Sequence, residues 1–113
     1  MLRDDASLLD IAHAARRTIA FIQGVDKDGF LADIKTQSAV LDQITVIGEA
    51  TKRLSPVFRQ GYPEIPWRNA AGMRDRLIHG YDEVDLVLVW TAATEDSPAL
   101  LAQIEPLLPP PPD

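Results

Sequence analysis

The sequence predicts an all-α fold, a bundle of four or five helices. Apolar residues recur at the helical spacing i, i+3, i+4, i+7 through most of the 113 residues. Strand-like alternation occurs only over residues 84–89, between segments of helical period. The length suits one domain, which we assign to residues 1–108, followed by a proline-rich extended tail over residues 109–113.

The first half of the chain predicts two long helices. The first has apolar positions from Leu8 to Ile22, with Ser7 as its N-cap. A polar turn over residues 24–29 separates it from a second helix over residues 31–54. Both patterns are amphipathic, so each helix is expected to bury one face.

The middle of the chain predicts a short helix and a rigid connector. Ser55 is placed to cap a helix that begins at Pro56, because proline is favoured at the first helical position. This helix is expected to end near residue 60. The connector over residues 61–66 contains a glycine and two prolines and leads into the next helix.

Two further helices are predicted after the connector. The first begins at Trp67, and Gly80 is placed to end it. The last begins after Asp82 or Asp85 and carries the remaining apolar positions of the bundle. Pro98 must kink or interrupt that last helix, because proline lacks the backbone N–H that the helix requires.

The composition excludes several kinds of chemistry. Without cysteine the chain has no disulfide, no thiolate nucleophile and no cysteine-ligated zinc, and we expect neither a metal site nor a cofactor. The longest apolar runs are only a few residues, so we expect no membrane partner. The N-terminal residues lack an apolar segment of the signal-peptide type, and we therefore expect a cytoplasmic protein.

The charge is unevenly distributed along the chain. The net charge of −6 argues against a broad nucleic-acid platform. Between Ala50 and Tyr81, however, six residues are basic and only two are acidic. Either the positive charge is focused near a site in this segment, or surface arginines are scattered there by chance.

Residues 74–81 hold the strongest candidates for chemistry. Arg74 is a permanent cation shaped to grip a phosphate, and His79 can take or give a proton near neutral pH. On one continuous helix Arg74 and Tyr81 share a face, whereas His79 lies about 140° away. A complete site therefore requires either that the helix unwinds near Gly80 or that the site lies between two chains.

These residue types fit the cleavage of RNA without a metal ion. RNA carries its own nucleophile, the 2′-hydroxyl, which DNA lacks, so we expect an RNA substrate and not DNA. The reaction needs one base and one acid, and each protomer offers a single candidate, His79. A two-fold homodimer would bring two histidines and two arginines into one cleft. The alternative is that Arg74 and His79 only interact favourably with the C-terminal dipole of a helix.

Several segments together resemble the HepT-like family, a branch of the HEPN superfamily of small α-helical ribonucleases. The order and spacing of the segments carry the resemblance from about Leu8 to Leu108. They are Gly48-Glu49-Ala50, residues 62–67 (YPEIPW), residues 71–81 (AGMRDRLIHGY), Val84-Asp85 and Val89-Trp90. The resemblance implies a HEPN-like bundle that forms a two-fold homodimer and acts as a metal-independent RNA endonuclease.

The resemblance also implies roles for individual residues. Arg74 and His79 occupy the catalytic positions of the family motif Arg-x4–6-His, which lies at the dimer cleft. HepT-like proteins are toxins whose antitoxin is a minimal nucleotidyltransferase. That antitoxin can transfer AMP onto the tyrosine of Arg-x4-His-x-Tyr, and Tyr81 occupies this position.

Three further residues are assigned supporting roles beside the motif. Asp75 stands where the family often has asparagine, and its carboxylate could weaken the hold of Arg74 on a phosphate. Arg76 adds positive charge to the same segment. Glu49 follows Gly48, where a second helix can approach closely, and is expected to structure the site, for example by pairing with Arg74.

The remaining polar and aromatic candidates have structural interpretations. His13 is expected to be partly buried near the apolar face of the first helix. Trp67 and Trp90 are expected to anchor the core and not to stack on bases. The alternative function is a catalytically inactive HEPN module that binds a nucleotidyltransferase partner or a nucleotide.

Overall fold

The structure, a computed structural model, describes residues 3–78 and 83–111 and confirms the all-α prediction. Within these ranges the helices are α1 (Arg3–Phe21), α2 (Lys27–Leu31), α3 (Ile34–Arg53), α4 (Pro56–Gly61), α5 (Trp67–Ala71), α6 (Met73–Leu77), α7 (Leu86–Thr91) and α8 (Ser97–Ile104). A π-helical turn (Ala92–Asp96) joins α7 to α8, and a 3₁₀ turn (Glu105–Leu107) follows α8. In the part of the chain described, no helix combines the length and apolar character needed to cross a membrane.

Two apolar clusters form the core around α3. The larger cluster packs α3 against α1, α5 and α8 through Leu8, Ile11, Ala15, Ile47, Leu54, Trp67 and Ile104. The smaller cluster packs α3 against α2, α6 and α7 through Phe30, Val40, Ile44, Met73, Leu77 and Val89. Because α3 contributes to both clusters, it is the element against which the other helices are positioned.

The first helix begins earlier than the sequence predicts. Ser7 was expected to be the N-cap, but α1 begins at Arg3, and Ser7 is buried inside it. The acidic first turn favours this start, because carboxylates stabilise a helix N-terminus. Asp4 also accepts hydrogen bonds from the backbone N–H and the hydroxyl of Ser55, both at 2.8 Å. These two bonds, the backbone one foremost, lower the pKa of Asp4.

The predicted polar turn between the first two long helices contains a short helix. Gly24 has a φ of +75°, which glycine adopts readily, and it reverses the chain after α1. Asp26 then caps α2 by accepting a hydrogen bond from the backbone N–H of Gly29 at 2.7 Å. Asp33 caps α3, which therefore begins at Ile34, three residues later than predicted.

The short fourth helix is confirmed as predicted. The hydroxyl of Ser55 accepts a hydrogen bond from the backbone N–H of Phe58 at 3.1 Å, and a proline follows in the first turn. The connector that follows is fixed by Trp67, whose indole N–H donates to the carbonyl oxygens of Arg59 and Tyr62 at 3.1 and 3.0 Å. Trp67 is 7% exposed, so the prediction that it anchors the core is confirmed.

The predicted helix that ends at Gly80 is interrupted and ends early. Gly72 separates α5 from α6, in keeping with the cost of about 1 kcal/mol for glycine inside a helix. The helix ends at Leu77, and Ile78 is already extended, with φ −111° and ψ 116°. Ile78 forms an isolated antiparallel bridge with Val84. Gly80 itself lies outside the described residues.

The C-terminal helices confirm both the start at Asp85 and the effect of Pro98. The side chain of Asp85 accepts a hydrogen bond from the backbone N–H of Leu88 and caps α7. Pro98 clashes in a regular helix with the carbonyl four residues earlier, which belongs to Thr94. Thr94 lies in the π-helical turn, and this wider turn accommodates the proline. The chain therefore continues directly from the π-helical turn into α8.

Candidate functional site

Arg74 lies on the exposed side of α6. The first and last residues of this helix, Met73 and Leu77, are buried in the smaller core cluster. Their burial fixes the orientation of this five-residue helix, which is too short to be stable without packing. The Arg74 side chain is 49% exposed and is therefore available to a ligand from solution.

Arg74 lines a cleft between α6 and the outer face of α3. The cleft has a volume of about 310 Å³ and is lined by Thr45, Gly48, Glu49, Lys52, Ala71, Arg74 and Asp75. We call it the Arg74 cleft. Its residues on α3 are spaced three and four apart, so they share one helix face.

Gly48 allows the two walls of the Arg74 cleft to approach closely. A Cβ atom at this position would lie 3.2 Å from the carbonyl oxygen of Ala71 and 3.6 Å from that of Ala70. The sequence-based prediction of a close approach at Gly48 is therefore confirmed, and α5 is the helix that approaches. This contact sets the distance between α3 and the chain that leads into α6.

The charges in the Arg74 cleft are mixed. A guanidinium nitrogen of Arg74 lies 3.9 Å from a carboxylate oxygen of Asp75, and the two side chains are 49% and 68% exposed. An exposed pair of this kind stabilises by only about 0.2–1 kcal/mol, so Asp75 competes weakly for Arg74. Glu49 lines the same cleft, but no ion pair joins it to Arg74 among the described residues.

Arg76 stabilises the junction between α5 and α6. Its guanidinium donates a hydrogen bond to the carbonyl oxygen of Asn69 at 3.0 Å, across the break at Gly72. Gly72 and Arg76 are also joined through the backbone, since the N–H of Arg76 donates to the carbonyl oxygen of Gly72. These contacts link α5 to α6, the helix that carries Arg74; the supporting role assigned to Arg76 at the site stays a prediction.

The other two motif residues, His79 and Tyr81, lie outside the described residues. They belong to the four residues that join Ile78 to Glu83. The chain on the two sides of this segment is joined by a hydrogen bond, in which the backbone N–H of Asp85 donates to the carbonyl oxygen of Leu77 at 2.8 Å. Because the helix already ends at Leu77, the geometry expected for Arg74 and Tyr81 on one continuous helix does not apply.

The remaining histidine and tryptophan differ in how well they were predicted. His13 is exposed on α1, so the prediction that it is partly buried is wrong. The buried face of α1 ends at Ala12, and His13 lies about 100° further around the helix. Trp90 is half-buried and packs on Phe30, with ring centroids 5.3 Å apart, as expected for a core residue.

Thr45 and Lys52 are cleft residues that the sequence analysis did not single out. Both lie one helical turn from Gly48 and Glu49, at spacings of three or four residues. Extending the Gly48-Glu49 segment along its helix face would therefore have found them. In the ranges described, no group of three or more histidine and acidic side chains is arranged to hold a metal ion.

The fold and the cleft define a small all-α protein with an exposed arginine five positions before a histidine. Residues 11–107 match the sequence profile of the family described as "Ribonuclease HepT-like". The chain therefore belongs to the HepT-like ribonuclease family, as the resemblance indicated.

Similar proteins carry names of the same kind. The "Probable ribonuclease HepT" of Thermococcus cleftensis is 43% identical over 100 residues, which cover 88% of this chain and 91% of the relative. The "Putative RNase MJ1380" of Methanocaldococcus jannaschii is 33% identical over 88% of this chain and 92% of its own length. The "Putative RNase MJ0127" of the same organism is 37% identical over 91% of this chain and 85% of its own length. No solved structure matches this chain significantly.

Proposed function

We propose that this chain is the ribonuclease toxin of a cytoplasmic toxin–antitoxin pair and cleaves RNA without a metal ion. The observation that carries the proposal is the exposed Arg74, held in a cleft and followed five positions later by His79. Membership of the HepT-like family and the names of the relatives support the same activity.

The proposed reaction uses the 2′-hydroxyl of RNA as the nucleophile. One histidine takes the proton of the 2′-hydroxyl, whose oxygen attacks the adjacent phosphorus. The bond from phosphorus to the 5′-oxygen breaks, and a second histidine gives that oxygen a proton. The products are a 2′,3′-cyclic phosphate and a free 5′-hydroxyl. Arg74 binds the phosphate and stabilises the charge that gathers on its oxygens.

The reaction requires two histidines, and we propose that a second copy of the chain supplies the other His79. Exposed apolar side chains mark a docking face for it. A groove of about 330 Å³ is lined by Ile34, Gln37, Ser38, Leu41, Val84, Leu86 and Val89. Ile34, one of the residues that line this groove, is 76% exposed. A two-fold axis at the groove would place the Ile34 of each copy near the groove of the other.

The chemistry of the groove favours a second copy over other occupants. A two-fold axis places identical side chains opposite each other, so charged residues at its centre would repel. None of the residues that line the groove is charged. The groove also lies next to the Arg74 cleft, because Leu41 of the groove and Thr45 of the cleft are one turn apart on α3.

The nuclease activity can be tested with purified protein and total RNA in the presence of a chelator. Wild type should produce fragments that end in 2′,3′-cyclic phosphate, and His79→Ala should not. His13→Ala is the matched control, because His13 is the other histidine of the chain and is exposed on α1. Cleavage that requires Mg²⁺, or that persists in His79→Ala, would contradict the mechanism.

The dimer can be tested by light scattering at micromolar concentration. Wild type should have the mass of two chains, and Ile34→Glu should shift it toward the mass of one. Val57→Glu is the control, because Val57 is 79% exposed on α4 and lies outside the groove. A wild-type protein that is monomeric, or equal masses for wild type and Ile34→Glu, would refute the docking face.

We further propose that a nucleotidyltransferase antitoxin silences the toxin by modifying Tyr81. The phenol oxygen of Tyr81 would attack the α-phosphorus of ATP, pyrophosphate would leave, and AMP would remain attached. The added phosphodiester would carry a negative charge seven positions after Arg74 in the sequence and would compete with an RNA phosphate for the Arg74 guanidinium. Mass spectrometry after incubation with the antitoxin and ATP should find AMP on Tyr81 and none on Tyr62. Tyr81→Phe should stay active under the same conditions.

The alternative function is an inactive HEPN module that binds the nucleotidyltransferase or a nucleotide. The ion pair between Asp75 and Arg74 favours it, since a phosphate must displace a carboxylate already 3.9 Å away. The two functions differ in one result. Wild-type protein that binds its partner but leaves total RNA intact would establish the module and reject the ribonuclease.

A further inference from the structure

We propose that the RNA flanking the cleaved bond lies along a cationic surface at the C-terminal end of α3. This inference rests on the proposed nuclease function and locates where its substrate is held. Two further clefts adjoin the Arg74 cleft. One has a volume of about 540 Å³ and shares Lys52 with the Arg74 cleft. The other, of about 550 Å³, shares Ala71 with the Arg74 cleft and Arg59 with the second cleft.

The three clefts form one continuous surface, which we call the basic surface. Its cationic side chains are Arg3, Lys52, Arg53, Arg59, Arg68 and Arg74. Its carboxylates are Asp4, Glu49 and Asp75. Counting also Asp10, which pairs with Arg53, the surface has two more positive than negative side chains, on a chain whose net charge is −6. Five of the six basic residues between Ala50 and Tyr81 line this surface, which supports the interpretation of focused charge.

The fold brings the cations together from distant parts of the sequence. Arg3 lies at the start of α1, whereas the others lie between the end of α3 and α6. The hydrogen bonds from Ser55 to the carboxylate of Asp4 hold the start of α1 against the start of α4. These bonds engage both oxygens of the Asp4 carboxylate.

Most of these cations are available to a ligand. Arg53 is paired with Asp10 at 3.1 Å, and Arg74 has its weak contact with Asp75. No ion pair within the described ranges holds the other four cations, which are Arg3, Lys52, Arg59 and Arg68.

Arg59 is shared by two of the three clefts. Its Nε atom is buried and has no hydrogen-bond acceptor in the described part of the chain. Arg59 lines the second and the third cleft, so it lies at the centre of the basic surface. The proposal depends on the position of the Arg59 guanidinium between the two clefts, since a guanidinium suits phosphate oxygens, and not on the enclosed Nε atom.

The basic surface is suited to the phosphate backbone of RNA and not to its bases. The aromatic residue of the third cleft, Trp67, is 7% exposed and uses its indole N–H on two carbonyl oxygens. It therefore offers no ring for base stacking, which single-strand binders use. Contacts made by arginine and lysine to phosphates position a strand without reading its sequence.

The experiment measures the salt dependence of binding to a 2′-O-methyl oligonucleotide, which lacks the nucleophilic hydroxyl and cannot be cleaved. Fluorescence anisotropy is followed with 3-mer and 12-mer probes at several salt concentrations. The test variant is the triple substitution Lys52→Gln, Arg59→Gln and Arg68→Gln. The matched control is Arg16→Gln, Arg17→Gln and Lys27→Gln, which removes the same charge from exposed residues on α1 and α2.

The basic surface predicts that wild type binds the 12-mer more tightly than the 3-mer. Each phosphate contact contributes about 0.7 to the slope of log K against log salt for single strands. The test variant should therefore lower the slope for the 12-mer by about 2. The control should leave that slope unchanged. Equal effects of the two variants, equal affinity for the two probes, or no binding by wild type would overturn the inference.

The outcome is distinguishable from failure of the proposed function. Cleavage of total RNA that depends on His79, together with a 12-mer slope that the test variant does not change, would reject the basic surface alone. A slope that falls as expected, in a protein that cleaves no RNA, would reject the nuclease alone.

Discussion

Gly48→Ala is the substitution that best tests how the Arg74 cleft is built. The new Cβ atom would lie 3.2 Å from the carbonyl oxygen of Ala71, so α5 must move by a few tenths of an ångström. That helix is held by the indole hydrogen bonds of Trp67 and by the burial of Ala70. Overpacking of this kind typically costs about 1–3 kcal/mol. Alanine instead of glycine inside a helix recovers about 1 kcal/mol.

The net effect of Gly48→Ala is therefore a loss of about 1 kcal/mol in the free energy of unfolding, measured by urea titration. The melting temperature should fall by about 4–8 °C. Gly61→Ala is the matched control, because Gly61 is the last residue of α4 and a Cβ atom there would meet nothing within 4 Å. That control should be neutral or slightly stabilising. If Gly48→Ala stabilises the protein as much as Gly61→Ala, the contact between α3 and α5 does not fix the cleft.

Three other substitutions address charge. Asp75→Asn should raise the rate of RNA cleavage by about two- to five-fold at low salt, because it removes an exposed carboxylate beside Arg74. The gain should be lost at high salt. An unchanged rate at low salt would contradict the idea that Asp75 competes with an RNA phosphate for Arg74. Arg74→Lys should retain little of the activity that Arg74→Ala loses, because a point charge lacks the guanidinium fork. Since the pKa of Asp4 is lowered on folding, its stabilising effect is complete above its unfolded pKa and is lost as pH falls through the folded pKa. Asp4→Asn should therefore destabilise the protein at neutral pH in urea unfolding, and its difference from wild type should shrink as the pH falls below the unfolded pKa. A difference that stays constant as the pH falls would refute the linkage.

The sequence predicts the helices well where local signals are strong. Ser55 and Pro56 form a cap and first turn that need no tertiary contact, and that helix has the expected bounds. Asp85 and Pro98 likewise act within one or two turns of themselves. The prediction fails for α1. The acidic first turn is a local signal for the earlier start, but the hydrogen bonds from Ser55 to Asp4 come from 51 residues away and no local pattern indicates them.

The candidate site is predicted only in part, for the same physical reason. The motif identifies Arg74, but its environment depends on which face of α3 the short helix α6 packs against. Lys52 and Thr45 therefore enter the cleft through tertiary packing, and Arg3 reaches the basic surface only because α1 begins earlier than predicted. The early end of α6 also follows from the bridge between Ile78 and Val84, a pairing across six residues that the helical pattern conceals.

The outer face of α3 connects the proposed dimer contact to the proposed catalytic and substrate sites. Ile34 and Lys52 are separated by five full turns of this helix, so they lie on the same side, about 27 Å apart along its axis. The opposite face is buried through Val40, Ile44 and Ile47, which prevents the helix from rotating or bending freely. The distance from the apolar groove to Arg74 is therefore set by the rise of a rigid helix. A second copy bound at the groove would therefore be held at a fixed distance from Arg74, which a shared site with one His79 from each copy requires.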